Sequence, residues 1–229
     1  MEDIQKSNNM ATRLILTKVI PGIVAMIIVI FLPAGTFNYW EGWAYLLSLM
    51  IPMAFVFNYL IKNDPGLLER RMKFKEREKE QSLIVTLSYP VILLAFILPG
   101  LDHRFGWSHV PPAVVILALL CFLVGYGLFF MVLRQNSYAS RVIEVSESQK
   151  VISTGMYGIV RHPMYMSILI IYLFSPLALG SYWAVIPALF MIPVLVARIN
   201  NEEKVLLRDL PGYDEYMQKV KYRFIPKGW

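Results

Sequence analysis

The sequence predicts an all-α, polytopic membrane protein with about five to six membrane segments and a helical hairpin near its C-terminal end. Three observations lead there. Apolar residues make up 57% of the chain and charged residues 17%, against roughly 25% charged in soluble domains. The apolar residues gather in runs of membrane-crossing length, and mean hydropathy is +0.52. The Lys and Arg residues gather between those runs.

A crossing helix needs about 20 mostly apolar residues. Leu14 to Leu32 gives the first candidate, interrupted only by Thr17, Lys18 and Pro21-Gly22. The closest thing to a cleavage site after it is the weak "LPAGTFNYW", so it reads as a retained span rather than a signal peptide. Trp43 to Ile61, Leu83 to Leu98 and Pro112 to Leu133 follow. Met164 to Leu179 and Tyr182 to Ala197 form a pair around a tight Gly180-Ser181 turn. These two are short and carry Pro176, Pro187 and Pro193, so they read either as tilted spans or as a hairpin partly buried in protein. The chain divides into residues 1–133, four spans, and residues 134–229, where the polar chemistry lies.

With six passes and the N-terminus inside, the outer segments are 33–42, 99–111 and 180–181. Arg104 alone among the 22 Lys and Arg residues falls there. The positive-inside rule favours this multi-pass orientation, with both termini and the segments 62–82 and 134–163 cytoplasmic. Trp40, Trp43 and Trp107 then sit near the outer interface. The net charge of +6 reads as topology and lipid-headgroup contact rather than nucleic-acid binding. Cys121 is the single cysteine, which excludes an internal disulfide and a cysteine metal site. The mixed-charge run Glu69 to Gln81 reads as a solvated helix on the membrane surface.

"STGMYGIVRHPMY", Ser153 to Tyr165, sets Tyr157, Arg161, His162 and Tyr165 at the mouth of the fifth apolar run. Proline is favoured in the first helical turn, so Pro163 marks a helix start. Arg161 and His162 then lie beside the free amides of a helix N-terminus, a place for an anion. A positive anchor with an aromatic belt accounts for the same residues. A second cluster follows the last apolar run. Arg198 and Glu202 are four apart and share a helix face, with Asn200, Asn201 and Glu203 in the same turn. Leu210-Pro211-Gly212 ends that helix. Tyr213 to Ile225 reads as a short amphipathic segment against the membrane or the domain. Between the clusters, Arg141-Val142-Ile143-Glu144-Val145 alternates as an extended segment does, and Gly155 supplies a turn.

In order along the chain stand "N-x-[FY]" at Asn136, "RHP-x-Y" at Arg161 to Tyr165, an apolar hairpin, "R-x-x-x-EE" at Arg198 to Glu203, and a tyrosine-rich tail ending near Pro226. This arrangement resembles the isoprenylcysteine carboxyl methyltransferase family of integral membrane enzymes and the related phospholipid methyltransferases. The resemblance covers roughly Asn136 to Pro226. It implies S-adenosylmethionine as methyl donor, a lipophilic acceptor and a cytoplasmic cofactor pocket. It implies cofactor contacts at Gln149, Lys150, Val151, Ile152, Tyr157, His162, Pro163, Met164, Tyr165 and Glu202, with Arg198 toward the acceptor.

Within that resemblance, Arg161 and His162 are expected to receive the methionine carboxylate. Tyr157 and Tyr165 are expected to wall the pocket. Arg198 would orient an anionic acceptor, and Glu203 or Glu144 would be the base for an amine. Methyl transfer of this kind needs no metal. The acceptor, a prenylated cysteine carboxylate, a lipid amine or another lipophile, is left open by the residues, as is oligomeric state. Two other readings stand beside this one. One is an NADPH-dependent membrane reductase of the sterol type, whose C-terminal region looks similar. The other is a membrane scaffold or transporter, against which the near absence of charge in the middle of the spans argues.

Overall fold

The computed structural model of the chain describes residues 12–72, 79–142, 145 and 149–229. Among the described residues the regular structure is helical, with no strand. Arg141 and Val142 lie in a bend rather than an extended segment, and Ile143 and Glu144 lie outside the described residues.

Helix α1 spans Thr12–Ala34. Its early turn Ile15–Val19 is a π-helix, closed by the Ile20 amide on the Ile15 carbonyl. Pro21 follows directly and has no N–H to give the α-helical ladder, and the wider turn takes up the mismatch. Gly35, at φ +67°, ends α1 in the left-handed conformation, its amide bonding the Phe31 and Leu32 carbonyls. Helix α2, Trp40–Asn63, runs to Asp64. Asp64 caps the short α3, Pro65–Arg71, by accepting the Leu67 amide at 2.9 Å, with Pro65 in the first turn.

Helix α4, Lys79–Phe105, packs along α1. Gly100 makes the approach possible, since a Cβ there would lie 2.7 Å from the Ile30 carbonyl oxygen. Helix α5, Pro112–Gln135, and α6, Pro163–Ala178, form the most extensive helix pair, with Gly125 against Ile170 and Ile171. Helix α7 spans Val185–Asp209, with a seam at Phe190. The short α8 is Tyr213–Lys219.

Five helices among the described residues are long and apolar enough to cross a membrane: α1, α2, α4, α5 and α7. Helix α6 is apolar but only 16 residues long. At 1.5 Å per residue it covers about 24 Å, short of a hydrocarbon core of about 30 Å. Of the two readings of the last apolar pair, tilted spans or a hairpin partly buried in protein, α6 fits the short arm of a hairpin. The other arm continues 12 residues beyond Ala197 to Asp209, up to the expected stop at Leu210-Pro211-Gly212. Large apolar side chains such as Leu47, Ile51 and Phe55 stay exposed at four-residue spacing on α2, the outward stripe of a lipid-facing helix.

Inside, Ile30, Phe31, Tyr39, Tyr45, Phe122 and Leu179 form one buried cluster joining α1, α2, α5 and the end of α6. Its polar atoms are satisfied. Tyr39 donates to the Leu179 carbonyl at 2.5 Å. Ser175 gives its proton to the Ile171 carbonyl, so the Tyr45 hydroxyl, 2.9 Å away, donates to Ser175. At the Gly180-Ser181 turn, Gly180 has φ +71°. There the Asp102 carboxylate, 1% exposed, accepts from the Ser181 hydroxyl at 2.5 Å and the Ser108 amide at 2.7 Å, and from the Ser108 hydroxyl. This network ties the hairpin turn to the end of α4.

Candidate active site

A cleft lies where the segment after α5, the start of α6, the second half of α7 and α8 converge. Its floor depends on a turn. Gly155 takes φ +59°, a conformation in which an added Cβ would also meet the Gln135 side chain at 2.7 Å. Gln135 accepts the Met156 amide at 3.0 Å, and the 3-10 turn Gly155–Gly158 then presents Tyr157. Asn136 donates to the Tyr157 hydroxyl at 2.8 Å, and the Tyr216 hydroxyl donates to the Tyr157 carbonyl at 2.7 Å. Burial pushes the Tyr157 phenol up to about 12.

Helix α6 begins at Pro163 with His162 as its N-cap, as the proline position predicts. Tyr165, in the first turn, is the junction of the site. Its hydroxyl donates to Glu202 Oε2 at 2.5 Å and accepts from Arg198 Nε at 2.9 Å. Arg198 and Glu202 thus share a face of α7, as their spacing predicts, and a phenol links them. Arg198 Nη2 also donates to the Arg141 carbonyl at 2.6 Å.

Of the residues expected at the site, Gln149, Lys150, Val151, Ile152, Tyr157, Arg161, His162, Met164, Tyr165, Arg198 and Glu202 line the cleft. Pro163 is buried at the helix start without bordering it, and Glu203 stands behind the wall. Glu144 lies outside the described residues.

The use of Arg161 and Glu203 differs from the sequence expectation. Glu203, 4% exposed, accepts from Arg161 Nε at 2.7 Å, Arg223 Nε at 3.0 Å and His162 Nε2 at 3.2 Å. A carboxylate committed to these three groups is a structural anchor, not a base open to an acceptor. Arg161 further gives Nη1 to the Val220 and Lys221 carbonyls. The Arg161 and His162 amides bond the Tyr222 and Arg223 carbonyls at 2.9 and 2.7 Å. The Arg161 and His162 amides and Arg161 Nη1 thus hold the 220–223 segment while Arg161 Nε holds Glu203, because a buried guanidinium must find acceptors inside the protein.

Sequence reasoning missed several residues. The Glu69 to Gln81 run, read as a solvated helix, turns two side chains inward, while residues 73–78 lie outside the described residues. Arg71 donates to the Ala139 carbonyl at 2.8 Å, touches Met164 Sδ at 3.8 Å and sits 4.8 Å over the Phe129 ring. Burial, with Arg141 and Arg198 also nearby, lowers its guanidinium to about 10. Gln81, 0% exposed, lies between Arg198 and Asn201. A guanidinium carries only donors, which turns the Gln81 oxygen toward Arg198, where it accepts from Nε at 3.0 Å and Nη1 at 3.1 Å. Tyr213 and Tyr216, read as an interfacial face, line the cleft. Asn136 was visible as the first residue of a motif but not as a partner of Tyr157.

Residues 113–210 match the family model for phospholipid methyltransferases. No curated protein matches the chain. The matched span contains α5 after its first residue, all of α6 and α7 and, on them, the linked Tyr165, Arg198 and Glu202. Residues 113–210 thus carry the phospholipid methyltransferase domain of this chain.

Proposed function

We propose that the chain uses S-adenosylmethionine to methylate a lipophilic acceptor, an isoprenylcysteine-like carboxylate or a lipid amine, in this cleft. The observation that carries the reading is the Tyr165 hydroxyl, which joins Arg198 to Glu202 where an apolar helix begins. It keeps a cation and a carboxylate side by side at the mouth of the hairpin.

The residues present suit the methyl donor. Glu202 can only accept hydrogen bonds and matches an ammonium or a ribose diol. Tyr157 and Tyr165 border the same space and offer ring faces to a sulfonium. The Gln149 to Ile152 segment closes one side and His162 another. Bound there, S-adenosylmethionine supplies an electrophilic methyl group, which passes in line to the acceptor's nucleophile while the carbon–sulfur electron pair stays on sulfur.

The chain's contribution is positioning, which is worth about 7–11 kcal/mol when the geometry is tight. Arg198, fixed by Tyr165, Gln81 and the Arg141 carbonyl, orients the acceptor. The described wall sets Arg141 and Arg198 against the single carboxylate Glu202. That balance favours an anionic acceptor, which needs no base, over an amine, which must shed a proton. Glu203 has no part as a base in this reading. The basic segments that flank the cleft in sequence support a cytoplasmic opening. The family match lends no support to an NADPH-dependent reductase or a scaffold.

Calorimetry with S-adenosylmethionine on His162→Ala and Glu202→Ala tests the site. Affinity is expected to fall in both, and wild-type affinity in both would sink the assignment. Mass spectrometry of a lipid extract incubated with the protein and deuteromethyl-labelled donor identifies the acceptor class.

A further inference from the structure

Tyr213 opens α8, just after Gly212 turns the chain at φ +81°. Its ring is fixed among Leu210, Tyr216 and Val220, with the Tyr216 ring centroid 5.6 Å away. The side chain is 4% exposed and lines the cleft. Its hydroxyl oxygen is sealed from solvent and has no hydrogen-bond partner. Buried hydroxyls are nearly always paired, because leaving one unpaired is costly. Among the described residues Glu41 Oε2 and Arg70 Nε share this condition, but neither residue borders the cleft. The charged groups acting on the Tyr213 phenol are Glu203, Glu202 and Arg161.

We propose that the Tyr213 hydroxyl is a ligand contact that donates to the carboxylate at the amino-acid end of the methyl donor, while Glu202 accepts from the ammonium of that same end. The proposal rests on the methyl-donor reading above. An α-amino acid presents an ammonium and a carboxylate on one carbon, so its site needs an acceptor and a donor side by side. Glu202 supplies only acceptance, and the Tyr213 hydroxyl, within electrostatic reach of Glu202 and without a partner of its own, has a proton to give. Arg161 borders the cleft with Nε and Nη1 engaged, and its positive field favours the anionic half of the ligand on this side. The adenosine end of the donor carries no such pair of opposite charges.

The experiment compares wild type and Tyr213→Phe by calorimetry with two probes. These are S-adenosylhomocysteine, which keeps the amino-acid end, and 5′-methylthioadenosine, which lacks it. Removing an unpaired buried hydroxyl should leave the melting temperature of the unliganded protein equal or higher. S-adenosylhomocysteine affinity should nonetheless fall about tenfold, with methylthioadenosine affinity unchanged. That pair of opposite effects is one a merely structural tyrosine does not produce. Unchanged S-adenosylhomocysteine affinity overturns the proposal, and so does an equal loss for both probes, which would move the hydroxyl to the adenosine end. Wild-type protein that binds neither probe overturns the methyl-donor reading itself and this contact with it. If Tyr213→Phe fails to fold, Tyr213→His, which keeps a ring and a donor, should retain the preference for S-adenosylhomocysteine over methylthioadenosine. Loss of that preference in a folded Tyr213→His protein counts against the proposal.

Discussion

Arg161 and Glu203 form a buried ion pair at 2.7 Å, each side chain 5% exposed. The pair binds the RHP motif to α7, and through Arg223 it holds the segment that follows α8. Removing one partner from such a pair strands the other charge in a poorly solvated place. Glu203→Gln keeps the shape and removes the charge, leaving Arg161 and Arg223 without their counterion. A loss of about 3 kcal/mol is expected, read from chemical unfolding in detergent. Lys204→Ala, one residue on and 69% exposed at its side chain, should change stability by less than about 0.5 kcal/mol.

The Tyr165 hydroxyl deserves the same treatment on the functional side. Tyr165→Phe keeps the ring and deletes the link between Arg198 and Glu202. Hydrogen bonds to charged groups are worth about 1.5–3 kcal/mol. Methyl transfer to a lipid extract should fall by roughly tenfold or more, measured with tritiated donor, while the helical circular dichroism stays unchanged.

Gln81 reaches the cleft from the N-terminal half. Gln81→Leu leaves Arg198 and Asn201 facing an apolar group, at a cost of about 1–3 kcal/mol. Because Gln81 touches Arg198 rather than the cofactor wall, donor affinity should hold while turnover drops. Gln81→Glu, which keeps an acceptor toward Arg198, should restore part of the turnover. Parallel calorimetry and turnover assays separate these effects.

Alkaline pH offers a test of burial at Tyr157. Its phenol is raised from an ordinary value near 10 to about 12. In the folded protein it keeps its proton where the unfolded chain has lost it. Its contribution to stability is therefore full below pH 10 and is lost as pH rises from 10 through about 12. Burial also raises the Tyr213 and Tyr216 phenols, which act in the same direction. Tyr157→Phe should make the decline of melting temperature above pH 10 less steep.

Local signals carried well from sequence to structure. Pro163 starts α6, Leu210-Pro211-Gly212 separates α7 from α8, and Gly155 takes the left-handed turn, because each acts through its own backbone. Partners distant in sequence were not legible. Nothing in "EREKEQ" marks Gln81 as a residue that meets Arg198 more than 100 positions later. Glu202 and Glu203 are adjacent and chemically alike, yet successive helical residues point about 100° apart. One faces the cleft and the other its back wall, and the sequence alone gave no phase for α7. The length of α6 was legible, since the Gly180-Ser181 turn closes its apolar run after 16 residues, but the sequence left open whether the pair spans. The division at residue 133 likewise dissolves at the cleft, where Arg71 and Gln81 support residues of the second half.

Helix α4 touches the α6–α7 hairpin at both of its ends: Gln81 meets Asn201 and Arg198 at one, and Asp102 meets Ser181 at the other. Twenty-one residues separate those ends, about 30 Å of helix. The hairpin is thus measured against a strut of fixed length and cannot slide along it without losing two polar anchorages at once. A thicker or thinner bilayer must then be met by tilting the whole bundle, so the depth of the cleft relative to the hairpin turn stays constant from one membrane to another.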